Sequence, residues 1–212
     1  MTLAPGTKLG PRSMDAWQLY AFSYLMPMRR LEEALAAQQK AWEIDPLSPI
    51  VHVYLGSIYT LMGQYDRGIE QFRNALELDP HSVPANGLLA YAHIAKGELN
   101  EGIRILEANA HLRDPLFQAY LGYACAIAGR TGEAHQMLEQ LQSAARTAYA
   151  PAWSLAMIYL GLGETDKAFD WLEKGLDERS SWVVTLRAHP IWEPLRSHPR
   201  YRALLRKMNL EA

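Results

Sequence analysis

The chain has 212 residues, of which 49% are hydrophobic and 21% charged, and its formal net charge is −2. This composition can form a sizeable core in one domain or one repeat array, and the near-neutral charge argues against a bulk binder of nucleic acid or membrane surfaces. No apolar run approaches the ~20 residues of a membrane span, the N-terminus lacks the apolar region of a secretory signal, and the only cysteine, Cys125, allows no intrachain disulfide. We therefore expect a cytoplasmic, mostly helical protein with no membrane contact.

The N-terminal segment is rich in residues that interrupt helices. Pro5, Gly6, Gly10 and Pro11 lie close together and predict a disordered segment over residues 1–14.

Residues 49–82 read PIVHVYLGSIYTLMGQYDRGIEQFRNALELDPHS and resemble a tetratricopeptide repeat along nearly their whole length. The period is 34 residues, and the resemblance implies two antiparallel helices joined by a short turn. The positions that carry the resemblance are Leu55, Gly56, Tyr59, Gly63, Tyr65, Phe72, Ala75, Asp79 and Pro80.

The same pattern recurs along the chain, most weakly in the first copy, where Ala21-Phe22 replaces the Leu-Gly pair and Arg29 replaces the usual glycine. One helix pair cannot bury its apolar face alone, so tandem copies must stack. The pattern predicts an all-α fold, a right-handed α-solenoid superhelix of about five repeats spanning residues 15–182. The five copies are residues 15–48, 49–82, 83–114, 115–148 and 149–182.

Glycines occur at two kinds of position in these copies. Gly63, Gly97, Gly129 and Gly163 follow the first helix of a repeat, where a left-handed backbone ends the helix. Gly122 lies where two helices are expected to cross closely, because a larger side chain would separate the backbones.

Residues 183–212 do not continue the repeat, and we predict that they cap the array. A helix from about Pro199 to Met208 should bury Tyr201, Leu204 and Leu205. The tail is basic, so a solvated cap surface and a patch for nucleic acid or an acidic partner are alternatives, of which the first is favoured. The residues predicted to form the apolar lid over the last repeat are Trp182, Ile191, Trp192 and Leu195.

Motifs for catalysis, metal binding or cofactor binding are absent from the sequence. No H-E-x-x-H, G-x-S-x-G, G-x-G-x-x-G or paired-cysteine pattern occurs, and we predict no enzyme activity, no metal and no cofactor. His93 and Cys125 take the position that Tyr59 and Tyr159 occupy in their repeats, which favours packing between helices over chemistry.

The first helices of tetratricopeptide repeats line a concave groove, and periodicity selects the side chains that should face it. These side chains are mostly apolar or aromatic, without the Lys, Arg and Asn of a carboxylate clamp, and they favour a hydrophobic peptide or helix as partner. The alternative is that several of them pack against neighbouring helices and leave little open groove. The predicted groove residues are Leu19, Ser23, Met26, Val53, Ser57, Thr60, Gly87, Tyr91, Ile94, Ala119, Tyr123, Ala126, Trp153, Met157 and Leu160.

The array is similar to the C-terminal tetratricopeptide region of modular bacterial signalling proteins, where it follows a Ser/Thr kinase, adenylate-cyclase-like or winged-helix domain. The segments LMPMRRLEEAL at 25–35, APAWSLAMIYLGLGETDKAFDWLEKGLDERSSW at 150–182 and EPLRSHPRYRALLRKMNL at 193–210 carry this resemblance. In addition, LAPGTKLGP at 3–11 resembles the opening of bacterial Ser/Thr kinase domains, although no kinase motif follows. The resemblance implies a regulatory role in the bacterial cytoplasm.

These features together predict a non-catalytic scaffold that binds a protein or peptide partner. One alternative is a module that associates with a second copy of itself. Another is a nucleic-acid-binding solenoid, which is less favoured because such solenoids use basic concave surfaces.

Overall fold

The computed structural model describes residues 13–112, 114–144, 152–180 and 185–210, and helices with their connecting turns account for these ranges, with no strand among them. The all-α prediction is thereby confirmed. The first helix begins at Met14, where the Ser13 hydroxyl accepts a hydrogen bond from the Ala16 amide at 3.3 Å. The predicted disordered segment, residues 1–14, therefore includes two residues of this helix start, Ser13 and Met14, and its residues 1–12 lie outside the described part of the chain.

Eleven α-helices run through the described ranges, and the chain divides into two compact units, residues 1–92 and 93–212. Among the described helices, none is long and apolar enough to cross a bilayer. The helices are α1 (Met14–Tyr20), α2 (Leu31–Ile44), α3 (Pro49–Leu61), α4 (Tyr65–Leu78), α5 (Val83–Lys96), α6 (Leu99–Ala108), α7 (Pro115–Ile127), α8 (Thr131–Ala144), α9 (Ala152–Gly161), α10 (Thr165–Asp177) and α11 (Pro199–Lys207).

In the N-terminal unit, α1 pairs with α2 and α3 pairs with α4. A π-helical turn, Ala21–Leu25, extends α1. Ile58 of α3 is fully buried in a cluster with Ala34 and Ala37 of α2, so small side chains on one repeat receive a large one from the next.

In the C-terminal unit, α7 pairs with α8 and also packs along α9, which pairs with α10. The crossing of α7 and α9 is close: a Cβ atom added at Gly122 would come within 2.6 Å of the Ile158 side chain. Gly122 therefore has the role that the sequence predicts for it.

The turns that end the first helices have the predicted left-handed backbone. Gly63, Gly97, Gly129 and Gly163 have φ angles of 74°, 94°, 78° and 76°. Arg29 takes this place in the first repeat with a φ of 56°, a conformation that costs a residue with a Cβ atom about 1–2 kcal/mol. The first hairpin therefore tolerates a strain that the other four avoid.

The C-terminal segment folds as a 3₁₀-helix, Pro190–Leu195, followed by α11, and the predicted helix from Pro199 is confirmed. The Tyr201 hydroxyl donates to the Leu186 carbonyl at 3.1 Å. Arg200 joins α11 to α10, because its guanidinium donates to Asp170 at 2.7 Å and to Glu173 at 3.0 Å. Side chains of the predicted lid are buried at Ile191, Trp192 and Leu195, while Trp182 lies outside the described residues.

Candidate functional site

The predicted groove residues of the N-terminal unit differ strongly in exposure. Leu19 is 61% exposed and Ser57 is half-buried, whereas Met26, Val53 and Thr60 are buried. The Thr60 hydroxyl donates to the Gly56 carbonyl at 2.8 Å, so its polar group is satisfied within α3. Of the residues named here, Leu19 and Ser57 remain available to a partner.

An accessible apolar stripe extends from Leu19 through Phe22, three residues later in the chain, to α3, and the sequence pattern missed its residues Phe22, Ile50 and Tyr54. Ile50, Tyr54 and Ser57 recur on one face of α3 at helical spacing, and the Tyr54 ring lies 5.0 Å from that of Phe22 on the turn after α1. Burial raises the pKa of Tyr54, so its hydroxyl stays neutral at physiological pH. We name Leu19, Phe22, Ile50, Tyr54 and Ser57 the α1–α3 face.

The signal for this stripe is present in the sequence, one position away from the positions chosen for the groove. Tyr54 directly follows Val53, and Ile50 lies four residues before Tyr54. The predicted groove positions on α3 and the accessible positions on α3 both recur at helical spacing. Periodicity therefore cannot distinguish them, and the packing of neighbouring helices determines which side of α3 is buried.

The predicted groove residues of α5 are buried. Tyr91, Ile94 and Gly87 all lie inside the fold. His93, which takes the position of Tyr59, is buried as well and donates from Nδ1 to Glu98 at 2.6 Å. The packing role predicted for His93 fits this environment.

In the C-terminal unit, α7 contributes Tyr123 to the accessible surface, while Ala119 and Ala126 are buried. Desolvation raises the pKa of the Tyr123 phenol, which keeps the group neutral. Cys125 is fully buried, and burial raises the pKa of its thiol, so the thiolate that a nucleophile requires is disfavoured.

The predicted groove residues of α9 are covered by the C-terminal segment. Trp153 and Met157 line a narrow crevice together with Ile191 and Trp192 of that segment. Leu160 is also buried. The structure therefore places Trp153 in a packed interior, because the capping segment lies over the side of α9 that repeat periodicity assigns to the groove.

The polar groups at the same crevice come from the cap and from α7. His189 precedes the 3₁₀-helix, and its Nδ1 accepts a hydrogen bond from the Ile191 amide at 3.4 Å. Burial lowers the pKa of His189 to about 4, and it raises the pKa of Tyr120 well above its usual value. Both groups are therefore neutral at physiological pH, and together with Thr185 they form the polar part of the crevice lining.

The described residues contain no group of three or more His, Cys, Asp or Glu side chains that could hold a metal ion. Of the fifteen residues predicted to line the groove, two are exposed, two are half-buried and eleven are buried. The exposed ones are Leu19 and Ser23, and the half-buried ones are Ser57 and Tyr123. The buried ones are Met26, Val53, Thr60, Gly87, Tyr91, Ile94, Ala119, Ala126, Trp153, Met157 and Leu160.

Comparisons with known proteins agree with the repeat architecture. Tetratricopeptide-repeat family models match residues 60–119 and residues 152–181. The chain thus contains tetratricopeptide repeats, and proteins built from such repeats are generally non-catalytic scaffolds for protein–protein interaction.

Solved structures show the same fold. TTC0263, a thermophilic TPR protein of Thermus thermophilus, is 20% identical with a TM-score of 0.63, over 91% of this chain and 99% of that chain. A chain of the APC/C hetero-tetramer Cut9–Hcn1 is 16% identical with a TM-score of 0.62, over 95% of this chain and 44% of that chain. PilF of Pseudomonas aeruginosa is 19% identical with a TM-score of 0.56, over 94% and 93%. At these identities the similarity establishes the fold and nothing beyond it.

Proposed function

We propose that the protein is a non-catalytic scaffold that binds a peptide or protein partner through the α1–α3 face of its N-terminal unit. The observation that carries this proposal is the accessible apolar stripe of Leu19, Ile50 and Tyr54, in a unit whose other first-helix side chains are mostly buried. Aromatic and aliphatic side chains of this kind supply most of the binding energy in protein interfaces.

The chemistry of this face favours an apolar partner. Phe22 and Tyr54 present ring surface, Ile50 and Leu19 present aliphatic surface, and Ser57 satisfies its hydroxyl internally by donating to the Val53 carbonyl at 2.8 Å. No charged side chain belongs to the face, so a carboxylate or phosphate group would find no counterion there. The partner that fits is an extended or helical segment with an apolar side.

The setting that we propose is regulation in the bacterial cytoplasm. The similarity of residues 25–35, 150–182 and 193–210 to the tetratricopeptide region of bacterial signalling proteins supports it. The formal charge of −2 argues against nucleic acid as the partner, because binding to phosphates needs a basic surface.

Substitution of Tyr54 tests the site. We expect Tyr54→Ala to weaken partner binding by about 2 kcal/mol or more, since buried aromatic anchors dominate interfaces. Affinity purification with the wild-type chain, followed by quantitative mass spectrometry, identifies the partner, and calorimetry then measures both affinities. Thermal unfolding of each variant shows that the fold is retained.

Leu47→Ala is the matched control, because Leu47 is 72% exposed on the turn between α2 and α3 and lies outside the face. This control should bind the partner as the wild type does. Full affinity in a folded Tyr54→Ala protein would exclude the α1–α3 face as the binding site.

A further inference from the structure

The C-terminal segment, residues 185–210, is organised by hydrogen bonds of its own. The Tyr201 hydroxyl of α11 donates to the Leu186 carbonyl at 3.1 Å. His189 and His198 cap the 3₁₀-helix and α11, because the Nδ1 atom of each accepts from the amide two residues later, at 3.4 and 3.2 Å. These bonds hold the segment together without help from α9 or α10.

An apolar pair and one arginine carry contacts of this segment to the last repeat. Ile191 and Trp192 are each 4% exposed and lie over α9. The Arg200 Cζ atom lies 5.2 Å from the centroid of the Phe169 ring of α10, and the guanidinium donates to Asp170 at 2.7 Å. Tryptophan and arginine are the side chains that most often anchor one protein on another, so the segment contacts the repeat as a bound peptide would.

The surface beneath the segment is the groove side of α9. Trp153 and Met157 lie on it one helical turn apart, and a narrow crevice that opens to solvent remains between them and the pair Ile191 and Trp192. The crossing of α7 and α9 is closer, because even one Cβ atom added at Gly122 would clash there. Separating the segment from α9 therefore sacrifices fewer van der Waals contacts than separating the two helices would.

We propose that the C-terminal segment is an intramolecular ligand of a second partner site on α9 and α10, and that a partner segment with the same anchors displaces it. The chemistry of that partner is an aliphatic–aromatic pair followed by an arginine, at the spacing of Ile191, Trp192 and Arg200. The carboxylates of Asp170 and Glu173 supply the charge that favours an arginine there. The site lies in the C-terminal unit and does not depend on the α1–α3 face.

Competition by its own segment regulates this site. Because the segment belongs to the same chain, it faces α9 at an effective concentration on the order of millimolar. A free partner binds only the fraction of molecules in which the segment has left α9, and its apparent affinity is reduced by that fraction. A change that weakens the internal contact should therefore strengthen binding of the partner.

A fluorescently labelled peptide of residues 185–207 tests the site on the full chain. We expect weak binding to the wild type and at least tenfold tighter binding to Trp192→Ala, whose internal competitor has lost an anchor. Arg200→Ala should tighten binding by about two- to fivefold, since a partly exposed ion pair contributes less. Arg202→Ala changes an exposed arginine of the same helix and should keep the wild-type dissociation constant in fluorescence anisotropy.

Two further measurements show where the peptide binds. A peptide with alanine in place of both Ile191 and Trp192 should lose binding to all these proteins. In hydrogen exchange on an isotopically labelled chain, the peptide should lower the protection of the chain's own residues 185–207 and leave that of α9 and α10 intact. Tyr54→Ala should bind the peptide as the wild type does, so this test and the test of the α1–α3 face can fail separately.

Three outcomes would overturn the proposal. The first is a peptide that binds Trp192→Ala and Arg200→Ala no more tightly than the wild type, or binds none of them. The second is an alanine-substituted peptide that binds equally well, and the third is a segment that keeps its full protection while the peptide is bound. Thermal unfolding shows whether each variant is folded, and if Trp192→Ala is not, Arg200→Ala alone decides the first outcome.

Discussion

Gly122 lies where α7 and α9 approach each other closely. Even a single Cβ atom there would come within 2.6 Å of Ile158, whose side chain is fully buried and cannot move away freely. We expect Gly122→Leu to destabilise the protein by about 1–3 kcal/mol or more, because overpacking forces side chains off their rotamers and separates the helices. Urea unfolding measures the change in the free energy of unfolding.

Gly132 provides the matched control for this prediction. It lies in α8, and a Cβ atom added to it would meet nothing within 4 Å. Gly132→Leu should therefore be neutral or stabilise the protein by about 0.5–1 kcal/mol, since leucine has the better helix propensity. If both variants unfold at the same urea concentration as the wild type, the crossing of α7 and α9 accommodates a leucine at position 122 and the overpacking argument is wrong.

His189 makes stability depend on pH. Its pKa is about 4 in the folded protein and 6.5 for an unperturbed ring, so unfolding takes up a proton between these values. Stability is therefore complete above about pH 6.5 and falls as the pH decreases toward 4, by about 3 kcal/mol from this residue. Urea unfolding midpoints between pH 7.5 and pH 4.5, compared for wild type and His189→Asn, measure this contribution.

Asparagine keeps an acceptor at the start of the 3₁₀-helix but does not titrate, so the slope of stability against pH should be smaller in His189→Asn. His81→Asn alters an exposed histidine and should retain the wild-type slope. Equal slopes in wild type and His189→Asn would show that the proton is taken up elsewhere.

At the scale of the elements, the sequence predicted the helices well because their positions follow from local patterns. Glycines with positive φ end the first helices, and the 34-residue period positions each pair. The π-helical turn at Ala21–Leu25 was not predicted, because a π-turn has no composition that distinguishes it from α-helix. Arg29 likewise shows that packing of the hairpin can impose a left-handed backbone on a residue that does not favour it.

The candidate site was less predictable than the fold, and α9 shows why. Its sequence, AWSLAMIYLG, is apolar around the whole helix, whereas α10 alternates apolar and charged residues. A helix that is apolar on every side is covered on every side. The sequence therefore contained the signal that Trp153 and Met157 are covered, but the residues that cover them lie in a segment without a repeat, whose docking position no periodicity specifies.

In a repeat protein each repeat contacts only its nearest neighbours. The loss of contacts at one end should therefore destabilise only the adjacent repeats. Ile191 and Trp192 of the C-terminal segment pack over α9, and Arg200 of the same segment donates a hydrogen bond to Asp170 of α10. We expect truncation after Arg179 to expose the apolar surface of α9 and α10, to lower the stability of the C-terminal unit and to promote aggregation. Hydrogen exchange read by mass spectrometry measures the loss of protection helix by helix.

The distribution of that loss is the informative result. In the truncated chain, amides of α9 and α10 should exchange much faster, while those of α3 and α4, which lie in the other compact unit, should keep their wild-type rates. Arg200→Ala removes the ionic link alone and should produce a weaker effect in the same direction, since partly exposed ion pairs contribute about 1 kcal/mol or less. Unchanged protection of α9 after truncation would mean that the segment rests on the surface without stabilising it, and uniform loss across all helices would mean that the chain unfolds as one cooperative unit.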